Sequence, residues 1–114
     1  MPPTPAYVPD RGDLVWLDFD PQAGCEQAGH RPALVLSRED FNLRTGLAFV
    51  VPITSRVKGF PDEFPLPSGL VIHGVLLCDQ AKSVDWRARN IRFAGSVPIP
   101  FVNAVAVQVY RLLT

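Results

Sequence analysis

"GDLVWLDFDP", residues 12–21, sets the reading of this chain. Leu14, Trp16 and Asp18 fall on one side of an extended segment, and Val15, Leu17 and Phe19 fall on the other. A period of two closed by Asp20-Pro21 is that of a β-strand ending in a turn. Downstream, "CEQAGHRPALVL" (25–36) crowds Glu26, Gln27, His30 and Arg31 around Gly29 and then switches to an apolar run. The run belongs to a second strand, "PALVLS" (32–37). The polar cluster before it reads as a loop held by a rigid scaffold, where binding and chemistry tend to be placed.

Working outward, "SREDFN" (37–42) offers Ser37 as the N-cap of a short helix with acidic residues in its first turn. That helix should run to about Arg44 and stop at Gly46. "LAFVVPIT" (47–54) is a third strand. "SRVKGFPDEFPLPSG" (55–69) reads as a mobile loop with a brief edge strand near 62–66. "GVLLCDQ" (74–80), "KSVDW" (82–86) and "NIRFAGSVP" (90–98) complete the strands. The tail is ambiguous, because Val105, Val107 and Val109 alternate whereas Val102, Val105, Val109 and Leu112 follow helical spacing. Short strands at turn-marked intervals point to a small, mostly β barrel.

The 114 residues suffice for one domain, read as a flexible proline-rich arm over 1–8 and a single domain over 9–114. Hydrophobic residues make up 47% of the chain, which excludes disorder by composition. Eleven basic and 11 acidic residues cancel, so nucleic-acid binding would have to rest on local charge. No apolar stretch is long enough to span a membrane and no signal peptide opens the chain, so a reducing cytoplasm is expected. Cys25 and Cys78 make neither a metal quartet nor a disulfide framework, and two free thiols are preferred to a bridge.

A Gly-rich phosphate loop, a serine nucleophile elbow and a His/Cys metal pattern are all missing. Asp18 and Asp20 could hold a divalent cation, but a turn carboxylate beside an exposed aspartate is the stronger reading, and neither metal nor cofactor is expected. What remains suits a phosphodiester. Arg31 offers a planar fork of donors, Glu26 an acid or base, and Thr54 and Ser55 hydroxyls at a strand end. RNA brings its own nucleophile, the 2′-hydroxyl. The same residues also have structural readings: an Arg31–Glu26 ion pair, His30 as a surface loop residue, and Thr54 and Ser55 as strand-end caps. Trp16 reads as core, and Phe19 as core or as a base-stacking ring.

"VPDRGDLVWLDFDPQAGCEQAGHRPALVLS" (8–37), "VPITSRVKGFP" (51–61) and "GVLLCDQAKSVDWRAR" (74–89) together resemble the MazF/PemK toxins of bacterial toxin–antitoxin pairs. The likeness runs from about Tyr7 to Asn90 and more loosely to the end. It implies an SH3-like β-barrel, shared with CcdB-like toxins, carrying a short helix and a C-terminal helix, which would make the tail helical. It implies sequence-selective, metal-independent cleavage of single-stranded RNA, with a 2′,3′-cyclic phosphate and a 5′-hydroxyl as products. Homodimers and a MazE-like antitoxin are the implied partners. Position by position, Arg31, Thr54 and Glu26 are implied as catalytic. Phe19, Gln27, His30, Ser55, Lys58, Asp79, Gln80 and Lys82 are implied as RNA-binding, and Arg56, Arg87 and Arg89 are further groove candidates.

Two departures matter. The Kid-type branch has a histidine just before the E-Q pair and an arginine two residues before the D-Q aspartate. Cys25 and Leu77 stand there in this chain, which leaves the MazF-type pair of Arg31 and Thr54 and makes Asp79 a recognition residue. A CcdB-like gyrase-binding toxin and a catalytically silent barrel are the rival readings. The first is disfavoured by an Arg-Leu-Leu-Thr end where those toxins carry Trp-Gly-Ile.

Overall fold

The computed structural model describes residues 7–19 and 29–114. Its strands are β1 (Asp13–Asp18), β2 (His30–Val35), β3 (Leu47–Thr54), β4 (Glu63–Pro65), β5 (Val75–Leu77), β6 (Lys82–Asp85) and β7 (Arg92–Ser96). The helices are α1 (Glu39–Thr45) and α2 (Ile99–Arg111), with a 3₁₀ turn at Cys78–Gln80. The strands form one antiparallel sheet in the order β4-β5-β3-β2-β1-β7, with β6 also on β3.

β3 organises this sheet. One of its edges pairs with β2 through Ala33↔Pro52, Leu34↔Val51 and Val35↔Val50. Its other edge pairs first with β6, from Leu47↔Asp85 to Val50↔Lys82, and then with β5, through Ile53↔Leu76 and Thr54↔Val75. Pro52, which has no N–H to donate, falls where that edge passes from β6 to β5. A proline is tolerated inside a central strand at such a gap.

The alternation in β1 separates two cores. Leu14 joins Leu34, Val51, Ile53 and Leu76 beneath Val102, Val105 and Val109 of α2. Val15, Leu17 and Phe19 join Ala33, Val35, Ala48, Val50, Val84 and Trp86 on the opposite face. Both faces of the central strands are therefore dry, and apolar side chains are needed on each. Trp86 closes the second core, and its indole N–H donates to the Asn42 carbonyl at 3.0 Å.

Several expectations need correction. Ser37 does not cap α1. Arg38 holds the cap position without a side-chain bond. The Ser37 hydroxyl instead donates to Asn42 Oδ1 at 2.6 Å and accepts the Phe49 N–H at 2.8 Å, tying α1 to β3. Gly46 does end the helix, with φ 73° in the left-handed region and its N–H returned to the Asn42 carbonyl. The strand expected over 74–80 stops at Leu77 and gives way to the 3₁₀ turn. β2 starts at His30, so His30 and Arg31 belong to a strand and not to the loop before it.

The tail is α2, with Pro100 in its first turn and Val107 about half exposed. Burial against the sheet overrides the strand preference of its valines. Arg11 ties the helix down by donating to the Leu36 carbonyl at 2.9 Å and to Asn103 Oδ1 at 2.6 Å. Residues 1–6 of the expected arm lie outside the described residues. Tyr7 and Val8 pack against the second core, and the Tyr7 hydroxyl donates to Asp13. Among the described residues no helix is long and apolar enough to cross a membrane.

Candidate active site

The β2–β3 register decides which polar side chains meet. Carried two residues beyond Ala33↔Pro52, it sets Arg31 opposite Thr54. Positions directly opposed on antiparallel strands point to the same face. Here that face is shared with Ala33, with Val35 and with Leu17, the β1 partner of Arg31. An exposed guanidinium and a half-buried hydroxyl, 23 positions apart in sequence, thus stand together at one end of the sheet.

Thr54 is positioned from both sides. Its Oγ1 accepts the Arg56 N–H at 3.1 Å, leaving the hydroxyl hydrogen able to donate. Behind it, Gly74 passes so close that a Cβ there would lie 2.2 Å from the Thr54 carbonyl oxygen. Gly74 has φ 131°, a conformation in which L side chains are rare. A glycine is the residue that lets the chain turn into β5 against the end of β3.

Ser55 follows Thr54 and is exposed, as are Arg56 and Lys58 in the connection to β4. This connection is pinned by Glu63, whose carboxylate accepts the Lys58 N–H at 3.1 Å and the Gly59 N–H at 2.9 Å. Val57 and Phe60 project from it, each more than 60% exposed. Asp79 is exposed in the 3₁₀ turn and Gln80 half-buried beside it. They lie on the same edge of β3 as Val75 but at the opposite end of β5 from Thr54. Lys82 sits opposite Val50, with its Nζ 5.3 Å above the Phe19 ring. Arg87 lies over the Trp86 ring, 4.7 Å from its centroid.

Phe19 does not offer a ring for stacking. It is 1% exposed, part of the second core and covered by Lys82. Trp16, read from the sequence as core, is only half-buried and stacks on His30 with centroids 5.5 Å apart and planes 10° from parallel. Of the two readings of Phe19, the core one holds, whereas Trp16 packs on the edge of the first core and keeps part of its ring exposed. Glu26, Gln27 and Cys25 lie outside the described residues. Cys78 is a free buried thiol, and burial, reinforced by Asp62 and Asp79, pushes it up to about 11.

A second polar cluster gathers around Asp18, on the other face of the sheet. His30 Nδ1 lies 2.8 Å from Asp18 Oδ1, and Asn90 Nδ2 donates to Oδ2 at 2.8 Å. The Asp18 N–H donates to the Arg89 carbonyl at 3.0 Å, and the Arg89 guanidinium donates to the Asp18 carbonyl at 3.0 Å. The hydrogen bonds from Asn90 and His30, with the charges of His30 and Arg92, hold this carboxyl below its ordinary value. With each oxygen engaged by a side chain, Asp18 orients His30 and Asn90; Asp20 lies outside the described residues. Sequence reasoning noticed Asp18 but not Asn90, which is 72 residues away, and it missed Gly74 and Glu63 altogether.

Comparison with known proteins follows the same lines. Residues 10–113 match the family described as PemK-like, MazF-like toxin of type II toxin–antitoxin system. The endoribonuclease toxin MazF of Escherichia coli K12 is 55% identical over 107 residues, covering 94% of this chain and 96% of that protein. The crystal structure of MazF from Deinococcus radiodurans superposes with a TM-score of 0.89 at 48% identity, covering 94% of this chain and 97% of that one. A MazE–MazF crystal structure from the same organism gives a TM-score of 0.83 at 48% identity, covering 94% and 96%. The antiparallel sheet with two helices is thus a MazF-like fold.

Proposed function

Because this chain belongs to the PemK-like, MazF-like family of type II toxin–antitoxin toxins, we propose that its RNA-cleaving chemistry is centred on Arg31 and Thr54 and needs no metal ion. The chain is a toxin endoribonuclease. The site assignment is supported by the β2–β3 register, whose continuation two residues past Ala33↔Pro52 puts Arg31 and Thr54 on one face of the sheet.

The reaction needs four things: an aligned 2′-hydroxyl, a base, a stabiliser of the pentacovalent phosphate and a proton for the leaving oxygen. Glu26 is the proposed base. As it takes the 2′-hydroxyl proton, the 2′-oxygen bonds to phosphorus and the bond to the 5′-oxygen breaks, the leaving 5′-oxygen taking a proton from solvent water while Glu26 returns its own to solvent. The products are a 2′,3′-cyclic phosphate and a 5′-hydroxyl. Arg31 keeps its charge throughout and donates in a fork to the non-bridging oxygens, whose negative charge grows in the transition state. The Thr54 hydroxyl donates to the same phosphate. Substrate bases are contacted by Gln27, His30, Ser55, Asp79 and Gln80, and Lys58 and Lys82 supply local positive charge that the neutral chain lacks in bulk.

By likeness to the MazE–MazF complex of Deinococcus radiodurans, the toxin pairs with a MazE-like antitoxin and works as a homodimer. The cytoplasm, where messenger RNA is found, is its place of action. The test is incubation with a long single-stranded RNA in excess EDTA, followed by mapping of the ends. Cyclic-phosphate ends at a short recurring sequence are expected. Arg31→Ala should cut at least ~100-fold more slowly, the cost of removing one transition-state donor. Cleavage abolished by the chelator, or an Arg31→Ala protein cutting at the parent rate, would overturn the mechanism or the site respectively.

A further inference from the structure

His30, named above as a base contact, is braced on two sides, by the Trp16 ring and by the Asp18 carboxylate. We propose that the His30 ring, stacked on Trp16 and fixed by Asp18, is a platform for the base of a nucleotide flanking the cleaved bond. This rests on the reading that the chain cleaves single-stranded RNA held at Arg31.

The argument begins with what is left uncovered on the imidazole. Trp16 covers one flat face. Asp18 occupies the Nδ1 edge. Even so, 47% of the side chain is exposed, and this exposure has to come from the opposite face and the Nε2 edge. An open concavity of about 670 Å³ abuts His30 beside Ser83, Asp85 and Arg89. Another of about 420 Å³ abuts it beside Asn90, Ile91 and Arg92. Both surface hollows therefore meet at the same ring.

The bracing has a chemical purpose. Asp18 remains a carboxylate at neutral pH, so Nδ1 keeps its proton and Nε2 is the atom offered outward. Nε2 then accepts from a base when the ring is neutral and donates when it is charged. Arg92 lies opposite Trp16 on β7 and adds positive charge on the flank of the stack. A flat exposed ring with a polar edge and a neighbouring cation is how proteins receive unpaired bases. A solitary surface histidine would lose rotamer freedom on stacking. Here the tryptophan and the aspartate have already removed that freedom, which is preorganisation.

Position supports the same use. His30 and Arg31 are consecutive, their Cα atoms ~3.8 Å apart, with side chains on opposite faces of β2. A strand held by its phosphate at Arg31 and crossing the start of β2 brings a neighbouring nucleotide over His30. Asp18 touches no substrate in this scheme and is a positioning residue acting through His30.

Two binding measurements, with spectra and kinetics of an Asp18 variant, test the platform once the cleavage site has been mapped. The first is binding of an all-2′-deoxy oligonucleotide of that sequence, which lacks the nucleophile. The second is the same oligonucleotide with single abasic positions. His30→Ala should weaken binding about tenfold, within the range for base–aromatic stacking, and His30→Phe should recover most of the loss. One flanking abasic position should weaken binding to the parent protein but make no further difference to His30→Ala. Asp18→Asn should change the His30 side-chain ¹⁵N shifts and raise KM more than it lowers kcat. Parent-like binding and cleavage by His30→Ala, or an abasic penalty equal in both proteins, overturns the platform alone. A parent protein that cuts no RNA overturns the cleavage reading and the platform with it.

Discussion

The Thr54 carbonyl oxygen lies where a side chain at Gly74 would have to begin, 2.2 Å from the position of a Cβ. The residue whose hydroxyl is proposed to act on the phosphate is thus wedged against a turn that favours glycine. This couples the placement of the hydroxyl to the integrity of the β3–β5 pairing, which starts at Thr54↔Val75.

Gly74→Ala should therefore cost both stability and activity. The added methyl meets backbone, which cannot swing aside, in a conformation rare for L residues. A loss of at least ~1–3 kcal/mol in denaturant unfolding is expected, with a fall in cleavage rate larger than the unfolded fraction explains. Parent-like stability would show that the turn can relax.

Asn42 is the fully buried polar side chain among the described residues. Its amide donates to the Pro9 carbonyl at 2.8 Å and to the Ser37 carbonyl at 3.0 Å, while Oδ1 accepts the Ser37 hydroxyl. Asn42→Ala strands these partners away from water. Urea unfolding should show a loss of about 2–4 kcal/mol, with little change in the specific activity of the folded fraction.

Glu63 should govern the connection that carries Arg56, Lys58 and Phe60. Glu63→Ala removes the acceptor of the Lys58 and Gly59 N–H groups. Both amides are exposed, so global stability should fall by no more than ~1 kcal/mol. Hydrogen exchange at Lys58 and Gly59 should nonetheless quicken, and KM for RNA should rise. Unchanged exchange at these two amides would mean that the connection is held by something else.

Asp18 sets an acid limit. Its native carboxyl is held below the ordinary 3.8, first by the hydrogen bond from Asn90 and then by that from His30. A depressed native value stabilises the fold above the unfolded value and loses that contribution as pH falls through the native one. The Asp18 contribution should be constant near neutrality and decline below about pH 4. Stability measured against pH should be shallower over that acid range in Asp18→Asn, and ¹³C titration of the carboxyl should give a midpoint below 3.8. A midpoint above it would break the assignment.

The elements legible in the sequence were those whose cause is local. The alternation around Trp16, the apolar run after Pro32, the strand over 47–54 and the helix stop at Gly46 each follow from a few neighbouring residues. Ser37 misled because its hydroxyl can satisfy a nearby backbone group in several ways, and the one it uses depends on β3. The tail was ambiguous by spacing alone, because its valines favour strands, while the sheet offers them a dry face at helical spacing; the helix implied by the family resemblance is the one found. Phe19 kept two readings in the sequence because alternation separates the two sides of a strand without saying how deeply each is buried.

By itself the sequence determined that this is one small, mostly β chain with the E-Q-x-G-x-R-P and D-Q patterns of the MazF/PemK toxins, and hence Arg31 and Thr54 as catalytic candidates. Only the tertiary structure decided that these two lie on one face of the sheet, that Gly74 wedges Thr54, and that Asp18 gathers His30 and Asn90 from positions 12 and 72 residues away. The reason is physical. A strand's period and a helix's stop are set within a few residues, whereas strand register and side-chain pairing across a sheet are set by burying both of its faces at once.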